Sequence, residues 1–427
     1  MLFSIKLDRW IRATLLFLGI FVIYLANANF LGTSDGYPNR YLPLSIIQEG
    51  NLELDEVIIL DSKGARINSL VNSEDKIVSK YPVLTSFLAL PVYVVPFIFH
   101  APITSAVVGS LTKISAALIT TFSALFLLFI LRRFISEKWA VVLTLAYAFG
   151  TSAWTISSQD LWQHGASQLF LTLTILVLLK AAEKQWFSCL TGLFAGLAIA
   201  ARPMNAIIVA FLFLFILHYK RKVLPPAILG IIAPLSLLAF YNTYYFGAPW
   251  ATGYGQEIIN WSSNLLEGFF GLLISPSRGL FIFTPFLLFS LWGIIMVWRR
   301  PLVLAKEPKF LLRYLSLAVL TYLLIMAKWW AWYGGVNYGP RMLVDLTPIF
   351  ILMFVPLITQ KLLQKRITVL VFSVFLLYSV FIQFVGIITW DMSWEKLNDL
   401  GSSDHSWLWD WRNNQPFYYI NKFLTVY

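Results

Sequence analysis

The chain has 427 residues, of which 59% are hydrophobic and only 12% are charged, and its mean hydropathy is +0.73. Soluble domains carry roughly 25% charged residues, so this composition excludes a soluble enzyme and predicts an all-α polytopic membrane protein. The net charge of +11 does not indicate nucleic-acid binding, because the basic residues follow membrane orientation, as described below. Cys189 is the only cysteine, which excludes an intramolecular disulfide and a cysteine metal cluster.

Apolar stretches long enough to cross a bilayer recur along the chain and predict about eleven transmembrane helices, with a large outer loop after the first. The stretch 81–99 is also apolar, but Pro82, Pro91 and Pro96 interrupt it. We therefore expect an interfacial or re-entrant segment there. The predicted spans are 11–31, 106–131, 139–157, 165–182, 189–201, 203–218, 225–246, 279–298, 310–327, 342–360 and 367–390.

The positive-inside rule gives this topology an orientation. With the N-terminus in the cytoplasm, the short inner loops hold most of the 32 basic residues and few of the 21 acidic ones. A crossing at 81–99 would move every later basic loop outside and violate the rule. We expect a transmembrane domain, 1–390, and a short aromatic outer cap, 391–427. The long predicted outer segments are 32–105, 247–278, 328–341 and 391–427. We therefore expect the active site and the C-terminus on the periplasmic, extracellular or lumenal face.

The first outer segment carries the clearest candidate site. Asp35 stands at the end of the first predicted helix, and a carboxylate at a membrane boundary is costly to desolvate, which marks it as functional. Arg40 and Tyr41 follow closely, and Arg40 either contacts a substrate phosphate or pairs with a nearby acid. Lys80 and Tyr81 open the proline-containing stretch, where Lys80 is either a ligand-binding cation or a snorkelling anchor.

Asp160 and His164 precede the fourth predicted span and lie four residues apart, so on a continued helix they would share a face. This spacing permits a divalent metal site, although one aspartate and one histidine are a weak metal signal. The alternative is contact with the acceptor or the sugar. No cofactor is predicted. The chain contains no P-loop, no dinucleotide-binding glycine motif, no zinc-protease motif and no Asp-x-Asp pair, which agrees with a lipid-linked donor.

An aromatic, glycine-rich loop runs from Lys328 to Arg341 in the C-terminal half. Its tryptophans and tyrosines fit an interfacial belt. Its three glycines, Asn337 and flanking cations also fit a site for sugar and lipid phosphate, because glycine lets backbone approach a ligand. Tyr333 is a further candidate in this loop, and Arg202 is one at the junction of two short spans.

Four stretches, taken in order, resemble a known family. They are Ser34–Tyr41 with Gln48–Asn51, Lys80–Leu84, Gln159–His164, and Gly192–Arg202. Together they resemble the integral-membrane glycosyltransferases of the GT-C class, particularly the protein-mannosyltransferase and aminoarabinose-transferase branch. The resemblance covers residues 10–215 and extends further only by topology. Many relatives have a second acid after the first-loop aspartate, whereas Gly36 follows Asp35 here, which weakens the case for a metal held by adjacent acids.

The resemblance implies a hexosyl- or pentosyltransferase of the cell envelope. Such an enzyme moves a sugar, with inversion, from a polyprenyl-phosphate carrier to a hydroxyl of a glycan, lipid or protein acceptor, and its first-loop aspartate, here Asp35, is the general base. The leaving phosphate needs positive charge. The outer cations available for it are Lys80, Arg202, Arg278, Lys328 and Arg341.

Two alternatives remain open. One is a transporter or flippase for a lipid-linked substrate, but most ionisable residues lie at span ends, which favours the enzyme. The other is a polysaccharide polymerase or ligase with a pyrophosphate-linked donor. That enzyme would rely on outer arginines and a catalytic histidine or glutamate, so separate substitutions of Asp35 and Arg341 distinguish the two.

Overall fold

The computed structural model describes residues 2–27, 32–56, 69–181, 183–299, 305–398 and 405–426. The parts of the predicted outer segments at 57–68 and 399–404 therefore lie outside the described residues. The described chain is helical apart from one antiparallel hairpin, β1 (Leu70–Ser73) and β2 (Lys76–Ser79), in which Leu70 faces Ser79. The helices are α1 (Leu2–Leu25), α2 (Tyr37–Gln48), α3 (Leu84–Ile98), α4 (Ser105–Leu131), α5 (Glu137–Gly150), α6 (Gln163–Lys180), α7 (Trp186–Ala201), α8 (Asn205–Tyr219), α9 (Leu224–Phe246), α10 (Leu265–Ile274), α11 (Leu280–Phe283), α12 (Leu288–Trp298), α13 (Lys306–Lys328), α14 (Thr347–Leu352), α15 (Val355–Thr359), α16 (Arg366–Thr389), α17 (Ser393–Leu397) and α18 (Gln415–Val426).

Five described segments are long and apolar enough to cross a membrane, and shorter apolar helices pack among them. Helices satisfy their own backbone hydrogen bonds, which a bilayer requires. These features support the predicted helical integral membrane protein, while the count of about eleven spans stays a prediction. The five segments are Ser105–Leu131, Arg221–Phe246, Lys306–Lys328, Arg341–Thr359 and Arg366–Thr389.

Two predicted spans are broken at prolines. The span 279–298 divides into α11 and α12 around Pro285, and 342–360 divides into a 3-10 segment, α14 and α15. Proline lacks a backbone N–H and is favoured in the first helical turn, so it starts a new helix at these points. In the stretch 81–99, by contrast, prolines do not break the helix. Pro91 and Pro96 lie inside a continuous α3, so the interruption expected there is wrong. The outer placement of this segment stays a prediction.

Helices α7 and α9 approach each other closely, because small residues meet there. A Cβ atom on Gly192 would overlap the carbonyl oxygen of Ala227, and one on Gly230 would overlap that of Cys189. Small residues allow membrane helices to approach closely and gain van der Waals contact. This contact fixes α7, whose C-terminal end presents Arg202 to the site described below.

The first outer segment forms its own hydrophobic cluster beside the main core. Helix α2 packs on α3 and the start of α4, with Tyr37, Leu42 and Leu44 buried in the contact. A 3-10 turn, Ser34–Gly36, leads directly into α2. Asp35 therefore lies on a turn held by a packed helix rather than on a free loop.

The 328–341 loop is tied to the C-terminal cap by one buried arginine. Arg278 donates from Nη1 to the Asn337 carbonyl at 2.6 Å and to Gln415 Oε1 at 2.7 Å. Gln415 donates from Nε2 to the Asn337 carbonyl at 2.9 Å and to Glu395 at 2.6 Å. The sequence analysis named Arg278 among the cations available for a departing phosphate. In the structure Arg278 is buried in this contact. The predicted division into 1–390 and 391–427 stays a prediction.

Candidate active site

Two candidate residues from distant segments, Tyr81 and Arg341, lie near the Asp35 carboxylate. Nη2 of Arg341 lies 2.6 Å from Asp35 Oδ2, and the Asp35 side chain is 23% exposed. Tyr81 lies near the same carboxylate. Burial raises the pKa of Tyr81 and the Asp35 charge raises it further, although Arg341 lowers it. Tyr81 therefore stays protonated beside Asp35.

Arg341 is held on its other sides as well. Its Nε donates to His164 Nε2 at 3.3 Å, and its Nη1 donates to the Gly334 carbonyl at 3.0 Å. The guanidinium carbon lies 4.0 Å from the centre of the Trp162 ring, a distance suited to cation–π stacking. Because a guanidinium is planar with donors in fixed directions, these contacts orient Arg341 toward Asp35.

Behind Arg341, His164 is linked to a second buried arginine through Asp345. Nδ1 of His164 lies 3.2 and 3.3 Å from the two Asp345 carboxylate oxygens, and Asp345 forms an ion pair with Arg202. We assign the imidazole proton to Nδ1, because the Arg341 N–H needs an acceptor at Nε2 and Asp345 needs a donor at Nδ1. Nη1 of Arg202 is also 3.3 Å from Nδ1, and Asp345 balances its charge.

Asp345 is the site residue that the sequence analysis missed. It is fully buried, and the Tyr322 hydroxyl donates to it at 3.4 Å. The available signal was an acidic residue inside the apolar stretch 342–360, a rare position that usually marks function. Its contact with His164 joins residues 181 positions apart, so no local pattern reveals the pairing.

A second buried ion pair supports the Asp35 turn. Arg40 donates from Nε to Asp160 Oδ1 at 2.8 Å and from Nη2 to Oδ2 at 2.5 Å. Asp160 also accepts from the backbone N–H groups of Leu161 at 2.8 Å and Thr33 at 3.3 Å. Arg40 therefore pairs with an acid that is distant in sequence, and its contact with a substrate phosphate stays a prediction. The carboxylate lies so close to Gly36 that a Cβ atom there would overlap it, which explains the glycine after Asp35.

Asp160 and His164 do not share a helical face. Helix α6 begins at Gln163, so Asp160 lies before it, and the two side chains join different ion pairs. In the described part of the chain, no three His, Cys, Asp or Glu side chains are grouped as metal ligands. The divalent-metal site that their spacing permits therefore has no ligand cluster among these residues.

Lys80 lines an apolar cavity of about 720 Å³. Both carboxylate oxygens of Glu257 are 2.7 Å from Lys80 Nζ, so the cation pairs two segments that are distant in sequence. Tyr81 also lines the cavity, and its ring meets the Tyr254 ring edge-on at 5.5 Å. The cavity walls come from α3, α7 and α9 and include Phe87, Leu197, Leu237 and Phe240.

Two other candidates contact neighbouring segments. The Tyr41 ring packs on Tyr37, with ring centres 4.5 Å apart, inside the α2 cluster. Lys328 donates from Nζ to the Ser263 carbonyl at 2.8 Å. These contacts stabilise α2 and the loop between α9 and α10, and a role of either residue in substrate binding stays a prediction.

Tyr333 and Asn337 contact the cap and the loop itself. The Tyr333 ring meets the Trp407 ring edge-on at 5.6 Å, and both side chains are largely buried. Asn337 donates from Nδ2 to the Gly339 carbonyl at 2.6 Å. Both residues shape the loop that presents Arg341, and their assignment to a sugar site stays a prediction.

Comparison with known proteins identifies a fold. A search with protein-family models and a search of curated proteins give no match. The chain is similar to the crystal structure of the Archaeoglobus fulgidus oligosaccharyltransferase in complex with Zn and sulfate, with a TM-score of 0.52 and 14% identity. The alignment covers 96% of this chain and 56% of that chain, so this chain spans about half the length of the archaeal protein. At this identity the similarity shows a common fold.

Proposed function

We propose that this chain is a membrane glycosyltransferase that moves a sugar from a polyprenyl-phosphate carrier to an acceptor hydroxyl, with Asp35 as general base. One observation carries the proposal: the partly exposed Asp35 carboxylate lies between Arg341 and Tyr81, and Tyr81 also lines the apolar cavity. A base, a cation for phosphate and an apolar cavity are thus adjacent. The fold shared with an oligosaccharyltransferase supports the same class of reaction.

The apolar cavity supports a lipid donor. Its volume of about 720 Å³ lies within the roughly 300–1,000 Å³ typical of small-molecule sites. Leu237 and Phe240 of its wall are 71% and 72% exposed on an apolar membrane helix, so the cavity opens toward lipid. A prenyl chain in this cavity leaves its phosphate near Lys80 and Tyr81, next to the Asp35 carboxylate.

Arg341 suits the departing phosphate. A guanidinium carries five N–H donors, and among the described residues three of them contact Asp35, His164 and Gly334. Two donors therefore remain for phosphate oxygens. A positive charge placed where negative charge develops stabilises the transition state most strongly in a site that excludes water. Arg341 meets this condition, because it is only 7% exposed.

The reaction needs one proton transfer and one substitution at carbon. The acceptor hydroxyl oxygen attacks the anomeric carbon from the face opposite the phosphate, while its proton passes to the Asp35 carboxylate. The bond between the anomeric carbon and the phosphate oxygen breaks, and its electron pair leaves with the polyprenyl phosphate. Attack from the opposite face inverts the anomeric configuration.

Release of free polyprenyl phosphate tests the proposal. The purified protein in nanodiscs is incubated with a panel of polyprenyl-phosphate sugars and acceptor extract, and the product is measured by mass spectrometry. General-base catalysis contributes about 10²–10⁴-fold, so Asp35→Asn should lose at least about 100-fold. Asp55→Asn is the matched control, because Asp55 belongs to the same outer segment and accepts a hydrogen bond from the backbone N–H of Ile77.

Three results would count against this function. No release by the wild type from any polyprenyl-phosphate sugar removes the transferase proposal. Equal release by the wild type and Asp35→Asn removes Asp35 as the base. An unchanged anomeric configuration in the product, measured by NMR, removes the single-displacement mechanism.

Arg341→Lys tests the phosphate role separately. Lysine carries the charge but cannot match the three fixed directions in which Arg341 donates. We expect kcat/KM for the donor to fall about 100-fold, comparable to the loss of one transition-state donor. Arg412→Lys, on the exposed surface of the cap, should leave it unchanged. Equal kinetics for the two variants would remove Arg341 from the phosphate site.

The ligase alternative has one observation in its favour, since His164 lies between Arg341 and Arg202. A polymerase or ligase that takes a pyrophosphate-linked donor is expected to use such residues. However, His164 Nε2 already accepts from Arg341 and is not free to take a proton. Adding a polyprenyl-pyrophosphate sugar to the same panel distinguishes the donors, because only a ligase would release polyprenyl pyrophosphate.

A further inference from the structure

A basic cavity lies at the end of the bundle opposite the candidate active site. Helix α8 connects the two ends, since it begins three residues after Arg202 and ends at Tyr219 in the cavity wall. The cavity has a volume of about 800 Å³ and forms where the segments after α6, after α8 and at the start of α13 meet. Its ionisable wall residues are Glu183, Lys184, His218, Lys220, Arg221, Lys222 and Glu307.

The acidic residues of this wall are already paired. Glu183 forms an ion pair of 2.7 Å with Arg133, and Glu307 forms one of 2.7 Å with Lys220. The cavity therefore keeps an excess of positive charge. The three wall cations that are exposed and have no described carboxylate within ion-pair distance are Lys184, Arg221 and Lys222.

An exposed apolar stripe on α8 leads into this cavity. Ala206, Ala210, Leu214 and His218 are spaced by four residues, so they share one helix face, and all four are exposed. The first three are apolar, and two of them are small. His218 belongs to the cavity wall, so the stripe reaches the basic cavity.

We propose that this end of the bundle binds one anionic phospholipid, with its headgroup phosphate in the basic cavity and an acyl chain along the α8 stripe. Basic pockets between membrane helices bind such headgroups. The positive-inside rule accounts for basic residues at this end, but not for their convergence on a cavity that continues into a lipid-facing stripe. Trp186, 55% exposed beside the cavity, marks the headgroup level.

The site is independent of the proposed transfer reaction, so its test needs no activity. The full chain is released from nanodiscs of equal phosphatidylglycerol and phosphatidylcholine, and native mass spectrometry counts the retained lipids. Each cation near a membrane surface contributes about fivefold in affinity. The Lys184→Gln, Lys222→Gln double variant should therefore lose about 25-fold in phosphatidylglycerol binding.

Two further variants make the test specific. Lys361→Gln with Lys365→Gln removes the same charge from the same end of the bundle, before α16, but outside the cavity wall. This control should keep the bound phosphatidylglycerol. Ala210→Trp adds a bulky side chain to the stripe without changing charge, so it should release the lipid while glycerol phosphate still binds.

The outcomes distinguish a specific lipid site from a general charge effect. Loss of bound phosphatidylglycerol in the Lys184→Gln, Lys222→Gln variant alone supports the site. Equal loss in both lysine variants shows a general charge effect and overturns it, as does full retention by the cavity variant. Glycerol phosphate bound by the wild type without retained phosphatidylglycerol identifies a site for a soluble anion, which also overturns the lipid proposal.

Discussion

Replacing Asp160 with asparagine tests the ion pair beneath the candidate active site. The Asp160 side chain is fully buried and accepts four hydrogen bonds, two from Arg40 and two from backbone N–H groups. An asparagine keeps one acceptor oxygen and places an NH₂ group against N–H donors. The variant also leaves the buried Arg40 charge without its partner.

The expected cost follows from these contacts. At least two hydrogen bonds to or from charged groups are lost, at about 1.5–3 kcal/mol each. Breaking a buried ion pair by removing one partner costs about 3–5 kcal/mol, which agrees with that sum. We therefore expect Asp160→Asn to lower the free energy of unfolding by about 3–5 kcal/mol. Because the pair is screened little by solvent, added salt should not change this value.

The assay is unfolding in mixed detergent micelles with increasing SDS, followed by circular dichroism. Glu53→Gln is the control, because Glu53 pairs with Lys76 at 2.6 Å in the same segment and this pair is more exposed than that of Arg40 and Asp160. That variant should leave the unfolding midpoint unchanged. A loss below about 1 kcal/mol for Asp160→Asn, or an equal loss in the control, would refute the claim that the buried pair stabilises this segment.

Two further predictions concern the Asp35 turn and the cap. Gly36→Ala places a methyl group where the Asp160 carboxylate lies, so it should cost about 1–3 kcal/mol and lower transfer about 100-fold by displacing Asp35. Gly19→Ala has free space around it and should not destabilise the fold, by the same unfolding assay. Burial raises the pKa of Asp391, but hydrogen bonds, chiefly from Lys422, lower it more, so the net pKa is depressed. The pair therefore stabilises the cap above about pH 4 and loses this effect as the pH falls further; hydrogen exchange in α18 should show that loss, and Asp391→Asn should abolish it.

Local signals in the sequence predicted the helical membrane class and drew attention to Asp35, whose role as a base stays a prediction. Both depend on runs of neighbouring residues, namely long apolar stretches and an acid at the end of one. Averaging hydropathy over such runs hid the helix break at Pro285, because the average does not register one missing backbone N–H. It also hid α2, whose buried face packs against distant helices.

Sequence patterns could not predict pairings between residues that are far apart along the chain. Lys80 looked like a ligand cation or an anchor, and its contact with Glu257 joins residues 177 positions apart. Arg40 pairs with Asp160 across 120 positions rather than with an acid near it in sequence. Gly36 looked like a departure from a family pattern, whereas in the structure it makes room for that same aspartate.

The link between Gln415 and the 328–341 loop has a consequence for how the protein matures during synthesis. Gln415 Oε1 accepts from the backbone N–H of Gly339 at 2.9 Å, two residues before Arg341. Ribosomes add about 5–20 residues per second, so the loop emerges before its partner in α18 exists. A nascent chain stalled before Gln415 would contain Asp35 and Arg341 yet lack this contact, so the loop would reach its final conformation only after α18 is made.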